Sequence, residues 1–167
     1  PNITEQAYMD VIYRKTGKLF EASVSIGAVL ADQSQIVELS LTEYGRHLGI
    51  AFQLIDAVFD YSSSAVIMGK NIGDDLAEGQ PTFPLIYALE RCNSKEQLLI
   101  REAITNKDSR HSKQIIECLK TCGALALATE KAKATSEKAI TALGPLPDSQ
   151  YKGALIKLAR FAIDRTY

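Results

Sequence analysis

The chain has no tryptophan, only three cysteines and two histidines, and no run of apolar residues long enough to cross a bilayer. Each shortage excludes something. A membrane-spanning helix needs about 20 apolar residues in succession, and the longest runs here stop far short of that. Three cysteines are an odd, low count for a disulfide scaffold. Cys118 and Cys122 stand one helical turn apart, but no histidine or further cysteine close to them in sequence completes a zinc set. Reduced, partly buried thiols in a cytoplasmic protein are the expectation. Charge of one sign is missing too. With 19 basic and 20 acidic residues the net charge is −1, so no broad positive field points to nucleic acid or to an anionic membrane. Anion binding has to come from a few well-placed lysines. No secretion leader is visible, and the opening "PNITEQAYM", which does not begin with Met, suggests a segment of something longer.

What is present is helical periodicity, along 167 residues that suffice for one domain with a sizeable core. Thr4 reads as an N-cap, and Tyr8, Val11, Ile12, Leu19 and Phe20 mark one face of the helix behind it. A second pattern runs from about Ser34 to Tyr61 without proline. The stretch "SSSAVIMGKNIGDDLAEGQPT" breaks it and reads as a loop. Thr82 suits an N-cap over "FPLIYALE", and Ser94 with Gln97 has capping-box spacing. A stretch from Lys113 to Leu143 divides at Gly123, and Asp148 caps a last helix through Ile163. The expected fold is an all-α bundle of about six or seven helices in a single domain covering 1–167.

The long helix carries the chemistry. On a wheel of about 100° per residue, Val37, Leu41, Tyr44, Leu48, Ala51, Phe52, Ile55, Val58 and Phe59 form a core stripe. A separate stripe holds Gly45, Gly49, Gln53, Asp56 and Asp60. A glycine inside a helix costs roughly 1 kcal/mol relative to alanine, so two on one line call for a compensating close approach by a neighbouring helix or a ligand. Acidic pairs on helices are usually a solvated face. Here, however, the carboxylates extend a small-residue line and are followed by "GKNIGDDL", with Lys70, Asp74 and Asp75 on a glycine-bearing loop. A lysine is a point charge suited to phosphate, and Mg²⁺ is held by one or two carboxylates plus phosphate oxygens and water. From chemistry alone a diphosphate–Mg²⁺ site and a solvated turn stand level. Lys15, Thr16 and Lys18 in "YRKTGKLF" carry little weight alone, and His47 and His111 read as surface residues.

Taken together, Lys15–Thr16 followed by "LFEAS", then "YGRHLGIAFQLIDAVFDY", then "GKNIGDDLAEGQPTFPLI", resemble the trans-polyprenyl diphosphate synthases, especially the bacterial octaprenyl-type enzymes of quinone biosynthesis. The order and spacing match, and the resemblance continues to the end of the chain. It implies a prenyl-synthase bundle around a deep cavity. There Mg²⁺ helps an allylic diphosphate to ionise, isopentenyl diphosphate attacks the cation, and proton loss closes each cycle. Position by position, it implies Asp56 and Asp60 as metal residues, with Asp56 the direct ligand. It implies Lys15, Thr16, Gln53 and Lys70 as catalytic residues around the allylic diphosphate. Lys15, Gln53 and Lys70 would bind substrate together with Asp74, which orients Lys70 or a metal-bound water. A homodimer is implied as well.

Three departures temper the resemblance. Ala57 stands where the family motif has a second aspartate, and Gln80 where it usually has lysine. No "DDxxD" or "GGKRxR" occurs, so the chain reads as the C-terminal half, inactive without an N-terminal half. Two alternatives stay open: a non-catalytic prenyl-synthase-like subunit, and a plain helical interaction domain.

Overall fold

The computed structural model describes residues 3–62 and 73–164. All its regular structure is helical, and no strand occurs among the described residues. In chain order the α-helices are α1 (Glu5–Ile12), α2 (Lys18–Leu30), α3 (Gln35–Phe59), α4 (Asp74–Ala77), α5 (Phe83–Arg91), α6 (Ser94–Asn106), α7 (Ser112–Thr121), α8 (Ala124–Ala142) and α9 (Gln150–Ile163). A π-helical turn, Tyr13–Gly17, joins α1 to α2 without a break in the spiral. With α1, this turn and α2 counted as one helix, the described residues hold seven helices of more than one turn, plus the single-turn α4.

The π turn explains one departure from the sequence pattern. Tyr8 and Ile12 are buried as expected, but Leu19, beyond the turn, is exposed; Val11, which precedes the turn, is exposed for no reason the turn supplies. A π turn takes in one residue more than an α turn. Everything after it is therefore displaced by about 100° from the uninterrupted wheel, which turns Leu19 off the Tyr8–Ile12 face.

The helix boundaries follow local chemistry. Gly123 takes φ = 77°, a conformation that costs other residues a clash, and so divides α7 from α8 as expected. Two caps fall one residue away from expectation. Asn93, not Ser94, caps α6: its side chain accepts from the Lys95 and Glu96 amides, and Glu96 returns a carboxylate to the Asn93 amide. Ser149, not Asp148, caps α9 by accepting from the Lys152 amide, while Asp148 pairs with the Lys152 ammonium at 3.1 Å.

The described residues form two compact units, one within 1–8 and 54–130, the other within 9–53 and 131–165. α3 passes from the second into the first at residues 53–54. The first unit is built on Tyr61, Leu76, Leu85, Ile100, Ile104, Ile115 and Leu119. Its three thiols are free, and burial, then the neighbouring Cys122, pushes the Cys92 thiol up to about 12. The second unit packs Tyr44 and Leu48 of α3 against Ala139 and Leu143 and against Ala159 and Ala162 of α9. Two long-range hydrogen bonds fix that packing: Tyr44 Oη donates to the Leu155 carbonyl at 2.9 Å, and Ser136 Oγ donates to the Ala159 carbonyl at 2.8 Å. Being uncharged and tied to specific acceptors, such bonds set register more than they add stability.

α3 is buried on more sides than one stripe requires. Ile50, Leu54 and Ala57 are buried as well as Tyr44, Leu48, Ala51, Ile55 and Val58, whereas Val37 and Leu41 near its start are only half-buried. Its start stays at the surface, with Ile36, Leu39, Glu43 and Arg46 exposed.

Candidate functional site

The glycine line on α3 is closed by backbone. A Cβ on Gly45 would lie 2.6 Å from the Phe20 carbonyl oxygen and 2.8 Å from Glu21 Cα. One on Gly49 would lie 2.7 Å from Gly17 Cα. All three distances are shorter than an ordinary contact of a Cβ, so these positions admit hydrogen alone. Of the two occupants the sequence allows for this line, a neighbouring helix is the one seen. The π turn and α2 lie directly on it. Lys15 and Thr16 sit in that π turn, with Lys15 exposed and Thr16 half-buried. π turns are uncommon and recur at functional sites.

At the other end of α3 the carboxylates differ from one another. Asp56 is half-buried, while Asp60 is 2% exposed. Asp60 Oδ2 accepts the Asp75 amide at 3.2 Å, and the Asp60 carbonyl accepts the Gly73 amide at 3.0 Å. The residue that ends the "DAVFD" segment therefore grips the "GDDL" segment through two backbone amides. Those amides stand at the start of α4, where the free N–H groups of a helix face an anion. Asp74 and Asp75 are both half-buried.

Negative charge collects here, and two buried phenols register it. Burial, then the charge of Asp75, raises the Tyr8 pKa, with a smaller contribution from Asp56. Tyr61 is raised well above the ordinary phenol value by burial, and further by Asp75 and Asp60, against a hydrogen bond with Thr82 at 3.1 Å.

Ala57 is 4% exposed and faces the same side of α3 as Leu54. Gln80 donates from Nε2 to a Glu78 carboxylate oxygen. Gln53, half-buried, is on the same helix as Asp56 and Asp60. Lys70 lies outside the described residues. Asp56, Asp60, Asp74 and Asp75 thus fall in one unit, and Lys15, Thr16 and Gln53 in the other. His47 pairs with Glu43 at 3.3 Å, and burial pushes its pKa down.

The model of the polyprenyl synthetase family matches residues 1–122. The chain belongs to that family. Among curated polyprenyl synthetases it is 44% identical over its whole length to the octaprenyl diphosphate synthase of Haemophilus influenzae, of which it covers 51%. It is 41% identical to the all-trans-nonaprenyl-diphosphate synthase (geranyl-diphosphate specific) of Rhodobacter capsulatus, with 99% of the chain and 50% of that protein covered. A solved structure of the same fold, the polyprenyl synthase of Caulobacter crescentus complexed with calcium and isoprenyl diphosphate, superposes with a TM-score of 0.92 at 34% identity. That likeness takes in 98% of this chain and 51% of the Caulobacter one. The chain therefore spans about half the length of the relatives it matches.

Proposed function

We propose that the chain is the C-terminal half of a trans-polyprenyl diphosphate synthase, the half that grips the allylic diphosphate and its metal. The complete protein would elongate that diphosphate with isopentenyl diphosphate into a long-chain, octaprenyl-type product for quinone side chains. Each cycle breaks the allylic C–O bond, whose electron pair leaves with pyrophosphate. The isopentenyl double bond then forms a C–C bond to the allylic carbon, and a proton is lost. A cytoplasmic homodimer is the assembly that goes with this reading. The observation that carries it is the joint between two motifs: Asp60 holds the Gly73 and Asp75 amides, so the aspartate helix and the "GDDL" segment meet.

The donor set suits Mg²⁺. Asp56 offers a half-buried carboxylate, and it and Asp75 both act on the buried Tyr8 phenol. Asp56 would bind the metal directly, and Asp60, with one oxygen already engaged by an amide, would support it. Mg²⁺ takes its remaining ligands from phosphate and water. When bound, it offsets the negative charge that builds on the departing pyrophosphate. Lys15 and Lys70 would hold the diphosphate oxygens as point charges, Thr16 and Gln53 would donate hydrogen bonds to them, and Asp74 would orient Lys70 or a metal-bound water.

Calorimetric titration with Mg²⁺ and a non-hydrolysable allylic thiodiphosphate tests the reading. Binding should require the metal and be lost in Lys15→Ala and in Lys70→Ala; binding indifferent to both lysines would refute it. The 167-residue chain should show little elongation alone, and robust turnover would refute its being half of the catalytic unit. A second reading, a non-catalytic subunit that modulates a partner synthase, draws on the buried Ala57 and on Gln80 bonded to Glu78. Partner binding without any metal-dependent diphosphate binding would favour it.

A further inference from the structure

The π turn that carries Lys15 and Thr16 is braced by a side chain outside both motifs. Its defining hydrogen bond runs from the Lys18 amide to the Tyr13 carbonyl, five residues back. The Tyr13 ring then folds over the turn it opens. A Cβ on Gly17 would come within 3.0 Å of Tyr13 Cδ2, so the ring lies against the glycine that closes the turn. The Tyr13 hydroxyl reaches past the turn and donates to Glu21 Oε2 at 2.8 Å. Glu21 is paired through its other oxygen with the Lys18 ammonium. Two cations flank the ring: the Arg46 guanidinium lies 5.1 Å from its centroid and the Lys18 ammonium 5.6 Å. Arg46 comes from α3, so the brace ties both ends of the turn to each other and to the helix beneath.

We propose that Tyr13 is a positioning residue that locks the π turn and thereby sets the direction in which Lys15 and Thr16 present their charge and hydroxyl. A relaxed α turn would have one residue fewer. Lys15 and Thr16 would then rotate by about 100° relative to α2 and the glycine line beneath it. Tyr13 spans the turn from its first residue to Gly17 and Glu21. The ring contact and the hydroxyl contact also divide the work. The ring lies against Gly17 and beside two cations and carries most of the brace, while the hydroxyl adds a tie to Glu21. Burial tends to raise the Glu21 pKa, but the Lys18 and Tyr13 hydrogen bonds outweigh it and keep the carboxyl below its ordinary value, so the brace is intact at neutral pH.

The consequence for ligand binding rests on the proposed role of Lys15 and Thr16 in holding diphosphate; the locking of the turn does not. Two readouts on the full chain keep these apart. The first is amide hydrogen exchange without ligand, in wild type, Tyr13→Phe, Tyr13→Ala and Glu21→Gln. Tyr13→Ala should speed exchange at the Gly17 and Lys18 amides at least tenfold while α8 exchanges at its wild-type rate. Tyr13→Phe, which keeps the ring, should stay within threefold, as should Glu21→Gln, which keeps an acceptor. Unchanged exchange at those amides in Tyr13→Ala overturns the proposal, as does acceleration spread equally over α8. The second is the affinity for inorganic pyrophosphate with Mg²⁺, with Lys15→Ala as reference. A tenfold loss in Tyr13→Ala, restored in Tyr13→Phe, is expected alongside loss in Lys15→Ala. Loss in Lys15→Ala with full affinity in Tyr13→Ala overturns the positioning role. No effect of Lys15→Ala, with exchange accelerated in Tyr13→Ala, leaves the lock standing and removes the diphosphate reading instead.

Discussion

The two halves of α3 solve different problems with one stripe. Its first half presents Gly45 and Gly49, and there the stripe is spent on contact: the backbone of the π turn and α2 fills the space a Cβ would need. Its second half presents Asp56 and Asp60, and there the stripe keeps a half-buried carboxylate beside a fully buried one that grips two amides. Small residues bring a neighbour close, and the buried aspartate holds the following segment in place. A helical wheel draws both as one continuous line, yet within that line only the second half carries carboxylates.

The comparison can be broken most severely at the glycines. Gly49→Val, or Gly45→Val, forces backbone away from backbone, and overpacking of that kind costs about 1–3 kcal/mol, occasionally more. Urea denaturation should show the whole of that loss, and a variant as stable as wild type would mean the close approach is dispensable. Ala57→Asp comes next. It places a carboxyl on the buried side of α3, where an unpaired polar group costs about 1–3 kcal/mol. Burial would raise that carboxyl's pKa above its unfolded value, so the variant should lose stability as pH rises from the unfolded carboxylate range, about pH 4, up through the raised folded pKa, and recover it below that range. Stability that does not vary with pH would show that this side of α3 accommodates charge. Asp60→Ala strips the acceptor from the Asp75 amide, at about 1–2 kcal/mol, and Asp60→Asn, which keeps an oxygen, should lose less. Equal losses in the two would mean the amide grip contributes little. Asp56→Ala should change stability less than Asp60→Ala, because Asp56 is half-buried where Asp60 is buried, while changing the response to Mg²⁺; an equal loss would remove the distinction between them.

Much of this was legible in the residues. The helical period, the length of α3, the break at Gly123 and the need for a close approach at Gly45 and Gly49 all follow from side-chain size and spacing. The family was legible in another way, as a resemblance of quoted motifs to a known pattern, and the family model matches residues 1–122. Other features left no readable mark. The π turn inserts a residue without changing composition, so the pattern of Tyr8, Val11, Ile12 and Leu19 suggested one unbroken wheel. Ala57 is neutral on any hydropathy pattern, and only the fold shows it buried beside Leu54. Asp60 looked like a twin of Asp56 and is instead a buried anchor, because its partners are backbone amides that no side-chain pattern displays. The caps at Asn93 and Ser149 sit beside equally competent neighbours, and a one-residue difference there turns on backbone angles.

The central claim is that the second half of α3 keeps Asp56 for a metal carrying a diphosphate. It is tested most directly by titrating pyrophosphate into wild type and Asp56→Ala at matched Mg²⁺ concentrations. The account predicts metal-dependent binding in the wild type and at least a tenfold weaker response in Asp56→Ala, with the melting temperature of the free protein preserved. Equal affinity in the two proteins would contradict it.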